Sequence, residues 1–144
     1  MIRTTEYFGN KPYSVEHENA ATDLLERVNR LIDEAVESAA FLRAVDPDTG
    51  TEISGSRGGS GDGGFRLPNA TTGKQNSSHK EAKGVDCYDP EGDLDEWLDT
   101  FETGGGKNTK LEEHGLYREH PTATAGWCHL STRAPGSGRR TFFP

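Results

Sequence analysis

The sequence predicts an α+β domain in which a small antiparallel sheet is flanked by helices. One long amphipathic helix comes early in the chain, and short strand candidates follow it, separated by turn-rich segments. The chain has 144 residues, the usual size of one domain, and 31% of them are hydrophobic. We therefore expect residues 1–144 to form one domain with a modest core and long loops.

The first predicted element is the long helix. Residues 1–13 before it look like an irregular arm or a short strand, and Ser14 is a suitable N-cap because its hydroxyl can accept from an early backbone N–H. Beyond Ser14, apolar residues recur at helical spacing and form one stripe, which predicts a face packed in the core. They are Ala21, Leu24, Leu25, Val28, Leu31, Ile32, Ala35, Val36 and Ala39.

The next segment is rich in turn residues. Asp46–Gly50 has the composition of a turn, and Thr51–Ser54 that of a short strand. Residues 55–64 are dense in Gly and Ser, which predicts a Gly-rich loop. Loops of this length are often functional, and a plain flexible insertion explains the same composition.

Four further elements are predicted in the second half of the chain. Gly84–Tyr88 and Trp127–Ser131 are strand candidates. Leu94–Phe101 carries its apolar residues on one side, as an amphipathic helix does. Leu111–Tyr117 is a candidate for a short helix that ends near Gly115.

The charge and composition exclude several classes of partner. The formal net charge is −8, whereas a surface that binds nucleic acid needs clustered Lys and Arg. The basic run Arg133–Arg140 is interpreted as a solvated tail. No stretch approaches the roughly 18 apolar residues of a membrane span, and residues 1–6 lack the apolar core of a signal peptide. We expect no nucleic-acid partner, no membrane span and a cytoplasmic site of synthesis.

Three residues suggest a metal site. His79 and Asp86 are seven residues apart across a glycine, and they can converge if the chain turns and Asp86 lies on a strand. His129 belongs to the separate strand candidate Trp127–Ser131. Two imidazoles and a carboxylate suit zinc, and a site with three protein ligands leaves a position for water. A packed histidine beside a tryptophan is the simpler interpretation of His129 alone.

Three motifs in order carry a resemblance to a known family. They are Ser54-Gly55-Ser56-Arg57, then Ser77-Ser78-His79 with Asp86 seven residues later, and finally Trp127-Cys128-His129. The chain thereby resembles the zinc D-Ala-D-Ala carboxypeptidases and L-alanyl-D-glutamate endopeptidases, which share a fold with the hedgehog signalling domain. The helix before these motifs and the segment Asp89–Asp93 resemble phage-encoded members in particular.

The resemblance implies a zinc site and roles for several residues. His79, Asp86 and His129 would bind Zn²⁺, which activates a water and polarises the scissile carbonyl. An arginine of the family engages a substrate carboxylate or steadies the oxyanion. Arg57 matches its motif, whereas Arg66 lies closer in sequence to His79 and is the alternative.

The general base departs from the family pattern. Members of the family place an acidic residue three positions before the last histidine ligand, and that position is Gly126 in this chain. The nearest candidates in sequence are His120 and Glu119, and a histidine suits the task because its free pKa lies near neutrality. The alternative is that both belong to a solvated loop.

The two cysteines are adjacent to predicted ligands. Cys87 follows Asp86, and Cys128 precedes His129. Because side chains alternate along a strand, both thiols should point away from the metal. We expect them to be buried, reduced neighbours in the core.

The sequence therefore predicts a zinc-dependent peptidase that cleaves the peptide stem of bacterial peptidoglycan, as a phage lysis or virion-associated protein. It would be made in the host cytoplasm and act at the cell wall or be carried in the particle. The alternative is a zinc-stabilised module with reduced catalysis that binds other phage structural proteins.

Overall fold

In the part of the chain that the structure describes, two helices come first, and six short strands with two further helices among them follow. A computed structural model describes residues 1–55, 63–71 and 76–144, and within these ranges it holds four α-helices and six strands. The helices are α1 (Thr4–Phe8), α2 (Val15–Glu37), α3 (Asp93–Asp99) and α4 (Thr109–His114). The strands are β1 (Gly84–Tyr88), β2 (Glu102–Gly104), β3 (Lys107–Asn108), β4 (Tyr117–Glu119), β5 (Trp127–Ser131) and β6 (Thr141–Phe142). The α+β class and the small sheet with flanking helices are confirmed.

The main sheet has the strand order β1-β5-β4-β6 and is mixed. Strands β1, β5 and β4 pair antiparallel, whereas β6 runs parallel to β4. The prediction of a purely antiparallel sheet is therefore wrong at this edge. Strand β6 has only two residues, too few to show an alternating pattern, and a long connection after β5 allows the parallel pairing. Strands β2 and β3 form a separate hairpin.

Residues 1–13 contain a short helix instead of an arm or a strand. In α1, the backbone N–H of Arg3 donates to the Glu6 carboxylate (3.0 Å), and Tyr7 and Phe8 are buried. The side chain of Asn29, from α2, bonds both the N–H and the C=O of Ile2 at 2.9 Å. A five-residue helix is marginal alone, so these tertiary contacts stabilise it.

Helix α2 begins after Ser14, as predicted, and Ser14 Oγ accepts from the His17 N–H at 3.1 Å. The apolar stripe is buried from Ala21 to Ala35. Its fully buried side chains include Leu24, Val28 and Leu31. It ends earlier than predicted, because Val36 is partly exposed and Ala39 lies beyond the end of the helix.

The later elements follow the prediction with shifted ends. Strands β1 and β5 have the predicted bounds, α3 ends two residues before Phe101, and α4 ends at His114 with Gly115 in the left-handed conformation. The Thr51–Ser54 segment is not a regular strand. Its Ile53 forms an isolated antiparallel bridge with Cys87 along the outer edge of β1.

The two faces of the main sheet differ in character. Val85, Cys87, Cys128 and Leu130 are buried in the core with the apolar side chains of the helices. Cys87 and Cys128 are cross-strand partners, free and buried, as predicted, and burial raises the pKa of both thiols. The opposite face carries polar residues, among them Asp86 and His129. Within the described ranges, no helix is both long and apolar enough to cross a membrane.

Candidate metal centre

The structure brings the three predicted ligands together. His79 lies in the 3₁₀ turn Ser78–Glu81, Asp86 on β1 and His129 on β5. His129 Nδ1 is 2.8 Å from Asp86 Oδ1, and His79 Nε2 is 3.4 Å from the same oxygen. All three side chains are buried, and one ligand atom from each lies within 4.8 Å of the others. This arrangement could hold a metal ion.

The sheet sets the approach of Asp86 to His129. The two residues are direct partners in the antiparallel register of β1 and β5. The Asp86 backbone turns away from β5, since its N–H donates to Gly63 O and its C=O accepts from the Ser54 N–H, both at 2.8 Å. Asp86 and His129 are therefore a non-hydrogen-bonded pair, the kind in which facing side chains are closest.

Hydrogen bonds at the 3₁₀ turn orient His79. Ser77 Oγ accepts from the His79 N–H (3.3 Å), and His79 Nδ1 lies 2.8 Å from Gly64 O. A carbonyl only accepts, so Nδ1 carries a proton, and Nε2 is the nitrogen that faces Asp86. Gly64 itself packs closely against α1, where a Cβ would lie 2.5 Å from Tyr7 O.

His129 is oriented through its other ring nitrogen. Its Nε2 lies 3.4 Å from Ser78 Oγ, while Nδ1 faces Asp86. Gly84 makes room for this pair, since a Cβ there would lie 2.2 Å from Ser78 Oγ and 3.1 Å from His129 Cε1. Each imidazole thus has one nitrogen toward Asp86 and an oxygen partner on the other, as histidines that bind metals usually do.

The charges of the site favour a cation. Burial opposes ionisation of Asp86, yet His79 and His129 together hold its pKa well below the usual range. Burial lowers the pKa of His79 in spite of the Asp86 charge. Two imidazoles and an ionised carboxylate, with one ligand atom from each within 4.8 Å of the others, form a donor set that fits a metal ion.

The ligands open into a polar cavity of about 370 Å³. Other residues of its lining include Arg66, Ser77, Glu119, Trp127, Arg133 and Phe142. Both aromatic side chains are half-buried, and charges of both signs face the same space. An extended polar ligand in this cavity could reach the donor atoms of His79, Asp86 and His129.

Only one of the two predicted arginines can be placed. Arg66 is buried beside the site, with Nη1 3.4 Å from Ser77 Oγ and Nη2 3.8 Å from Asp86 Oδ2. Arg57 lies outside the described residues, as does most of the predicted Gly-rich loop. The structure thus puts the alternative arginine on the cavity wall next to the ligands.

The two candidates for the base lie in different places. Glu119, at the end of β4, lines the cavity. His120 is not among the lining residues; its Nδ1 is 2.8 Å from Thr122 Oγ1, and its ring stacks on Phe143 at 4.3 Å. The sequence favours His120 because the free pKa of histidine lies near neutrality, and it does not predict the three-residue strand β4 that carries Glu119.

Gly126 carries a conformational restriction. Its φ is +97°, a value that residues with side chains rarely adopt, although no atom lies within 4 Å of a Cβ built there. An acidic residue at this position would be strained, so the absence of the family's acid agrees with the local backbone.

A second group of possible ligand residues lies between α2 and α4. His114 Nε2 is 2.8 Å from Glu34 Oε1, and Lys110 Nζ bonds Glu34 (2.7 Å) and Glu113 (3.2 Å). The ammonium already supplies the positive charge, so we interpret this group as an ion-pair network joining the two helices.

Comparisons of the chain with protein-family models, with curated proteins and with solved structures found no match. The motifs and the site geometry are therefore the grounds for any function assigned to this chain.

Proposed function

We propose that this chain is a zinc-dependent peptidase that cleaves the peptide stem of bacterial peptidoglycan, as a phage lysis or virion-associated protein. The observation that carries the proposal is the convergence of His79, Asp86 and His129 at the base of a polar cavity. The fold of the hedgehog and D-Ala-D-Ala peptidase group belongs to the same proposal. The protein would act at the cell wall or be carried in the particle.

The metal ligands and the cavity have separate tasks in this proposal. His79 Nε2, His129 Nδ1 and an Asp86 oxygen would hold Zn²⁺, and three protein ligands leave room for a further one. When bound, zinc supplies Lewis acidity toward the scissile carbonyl and lowers the pKa of a bound water. The Gly64 carbonyl holds the proton of His79 on Nδ1, and the Ser78 hydroxyl can accept from Nε2 of His129 when Nδ1 binds the metal.

Arg66 would position the substrate. Its buried guanidinium lies at the cavity wall beside Asp86, where a cation can pair with a substrate carboxylate or with the oxyanion. Peptidoglycan stems carry free carboxylates next to their amide bonds, so they offer a partner for it.

A second candidate function is a zinc-stabilised module without catalysis, which binds other phage structural proteins. The observation that favours it is Gly126, whose left-handed φ of +97° disfavours the acid expected at this position. In that case the metal would only stabilise the fold.

A digest of purified peptidoglycan with zinc-loaded protein, read by mass spectrometry, tests the proposal. We expect fragments cut within the stem, which disappear with a chelator and with Asp86→Asn. Asp48→Asn, an exposed carboxylate in a turn, is the matched control and should cut like the wild type. No cut by protein shown to hold zinc would leave the non-catalytic module as the better assignment.

A further inference from the structure

We propose that Glu119 is the general base of this site, an inference that rests on the proposed peptidase function. A hydrolase of this kind needs a group beside the attacking water that takes its proton and passes it to the leaving amine. Gly126 has no side chain to do so. Glu119 reaches the same cavity from a different strand.

The register of the sheet puts Glu119 next to the ligands. Strand β4 pairs with β5 through Tyr117 opposite Ser131 and Arg118 opposite Leu130. The pairing of β4 with β5 ends at Arg118, and one further step in the same register would bring Glu119 level with His129. Asp86 is the partner of His129 on the other side. Asp86, His129 and Glu119 thus follow one another across three adjacent strands.

Alternation along β4 fixes the face on which Glu119 lies. Its neighbour Arg118 is fully buried on the core side, where its guanidinium bonds Asp95 (2.9 and 3.0 Å). Because successive side chains of a strand point to opposite faces, Glu119 points to the face that carries His129. Its presence in the cavity lining agrees with this assignment.

The surroundings of Glu119 suit proton transfer. The residue is half-buried on the cavity wall, which Trp127 and Phe142 also line, and Phe142 is its direct partner on β6. A carboxylate beside apolar rings, still in contact with the cavity, can take up a proton and release it again.

The reaction step balances without any further co-reactant. A water oxygen attacks the carbonyl carbon of the scissile amide, and one water proton passes to the Glu119 carboxylate. The C–N bond then breaks, and Glu119 gives this proton to the departing nitrogen. The products are a carboxylic acid and an amine, and Glu119 is again a carboxylate.

Substitution tests the proposal in the zinc-loaded full-length chain. We expect Glu119→Gln to lower kcat on stem peptides by about 10²-fold or more, with zinc stoichiometry unchanged. Glu112→Gln, at an exposed carboxylate on α4, is the matched control. His120→Asn tests the other candidate for the general base. Both should stay within about threefold of the wild type. Wild-type rates with Glu119→Gln, or a comparable loss with His120→Asn alone, would overturn the assignment.

An anion probe gives a readout that does not depend on turnover. Azide binding to the Co²⁺-loaded protein is followed in the visible spectrum. If the Glu119 carboxylate faces the open ligand position, its charge repels the anion, so Glu119→Gln should bind azide about tenfold more tightly than the wild type and Glu112→Gln should not. Equal azide affinities would overturn the placement of Glu119. If the affinity rises but wild-type protein cuts no stem peptide, the proposed peptidase function fails, and the base role with it.

Discussion

At the scale of single residues, the candidate metal centre depends on a glycine, Gly84, because there is no space for a side chain at this position. Gly84 leaves the space in which Ser78 approaches His129, and no other residue type fits without displacing one of them. The serine hydroxyl lies 3.4 Å from His129 Nε2, so it favours the ring orientation that turns Nδ1 to Asp86. A backbone position outside the ligand set thereby controls a ligand.

We predict that Gly84→Ala weakens zinc binding by about 10- to 100-fold, because its methyl group would displace Ser78 and turn His129. Competition with a chromogenic chelator measures the affinity. Gly136→Ala is the matched control, since a Cβ there meets no atom within 4 Å. An unchanged affinity for Gly84→Ala would show that Ser78 does not orient the ring.

A second residue-scale feature lies on the core side of the sheet. Asp95 is buried against Arg118, and burial, which outweighs the Arg118 charge, raises the pKa of Asp95 to about 6. In the unfolded chain an aspartate titrates near 4. The folded state therefore holds the proton more tightly, and this contribution is fully present below pH 4 and lost as the pH rises through 6.

Asp95→Asn is expected to remove this dependence on pH. Between pH 4 and pH 7 the unfolding free energy of the wild type, relative to that of the variant, should fall by about 2 kcal/mol. Urea denaturation at several pH values measures it. Asp99→Asn, at an exposed partner of the same arginine, should show no such trend. A constant difference for Asp95→Asn would mean that Asp95 is ionised in the folded state at pH 5.

At the scale of elements, the cap that ends α2 places an alanine in a backbone conformation that favours glycine. The Ala40 N–H bonds Ala35 O and the Ala39 N–H bonds Val36 O, both at 3.0 Å, which is the pattern of a Schellman cap. Such caps place a left-handed residue after the helix, and here it is Ala39, with φ +57°. Glycine adopts this conformation at lower cost.

We therefore predict that Ala39→Gly stabilises the protein by about 0.5 to 1 kcal/mol, because it relieves the left-handed strain and removes no buried contact. Thermal unfolding measures the change. Ala40→Gly, one residue later and without a positive φ, should not stabilise the protein. A loss of stability in Ala39→Gly would contradict this account of the cap.

The elements that the sequence predicts well are those with a repeated pattern. Helix α2 shows its apolar stripe over several turns, and β1 and β5 each show five residues of strand character. The short elements α1, β4 and β6 hold two to five residues and depend on tertiary partners, such as the Asn29 side chain on Ile2. Missing β4 is what hid the orientation of Glu119.

At the scale of the whole molecule, core and candidate site occupy opposite faces of one sheet. The helices pack on the face of Val85 and Leu130, whereas Asp86 and His129 open to the cavity. We therefore expect the core to form without a bound metal, unlike that of a zinc finger. The candidate site lowers the stability of the sheet only through the cost of burying its charged groups.

This separation predicts a moderate response to metal removal. Zinc at 100 times its dissociation constant should add about 2.7 kcal/mol, or a rise of about 5 to 10 °C in Tm, and the chelated protein should stay folded. Differential scanning fluorimetry and circular dichroism measure both effects. His79→Ala should show no rise with zinc. A chelated chain without helical signal would mean that the core is insufficient alone.

The candidate site was predictable where a motif names the residue. His79, Asp86 and His129 follow from ordered motifs, and the structure brings them together. Spacing could not choose between the arginines, because proximity in space depends on how the chain returns to His79. Arg66 reaches the cavity because the N–H of Arg66 itself bonds His79 O at 3.1 Å.

The two backbone bonds of Asp86 have a consequence for evolution. They fasten Ser54 and Gly63, the two ends of one intervening segment, to a single ligand residue. Loop closure depends only weakly on length, so residues gained or lost between these anchors would change stability by less than about 1 kcal/mol. Descendants of this chain can therefore gain or lose residues between Ser54 and Gly63 while keeping Asp86 anchored by the same two backbone bonds.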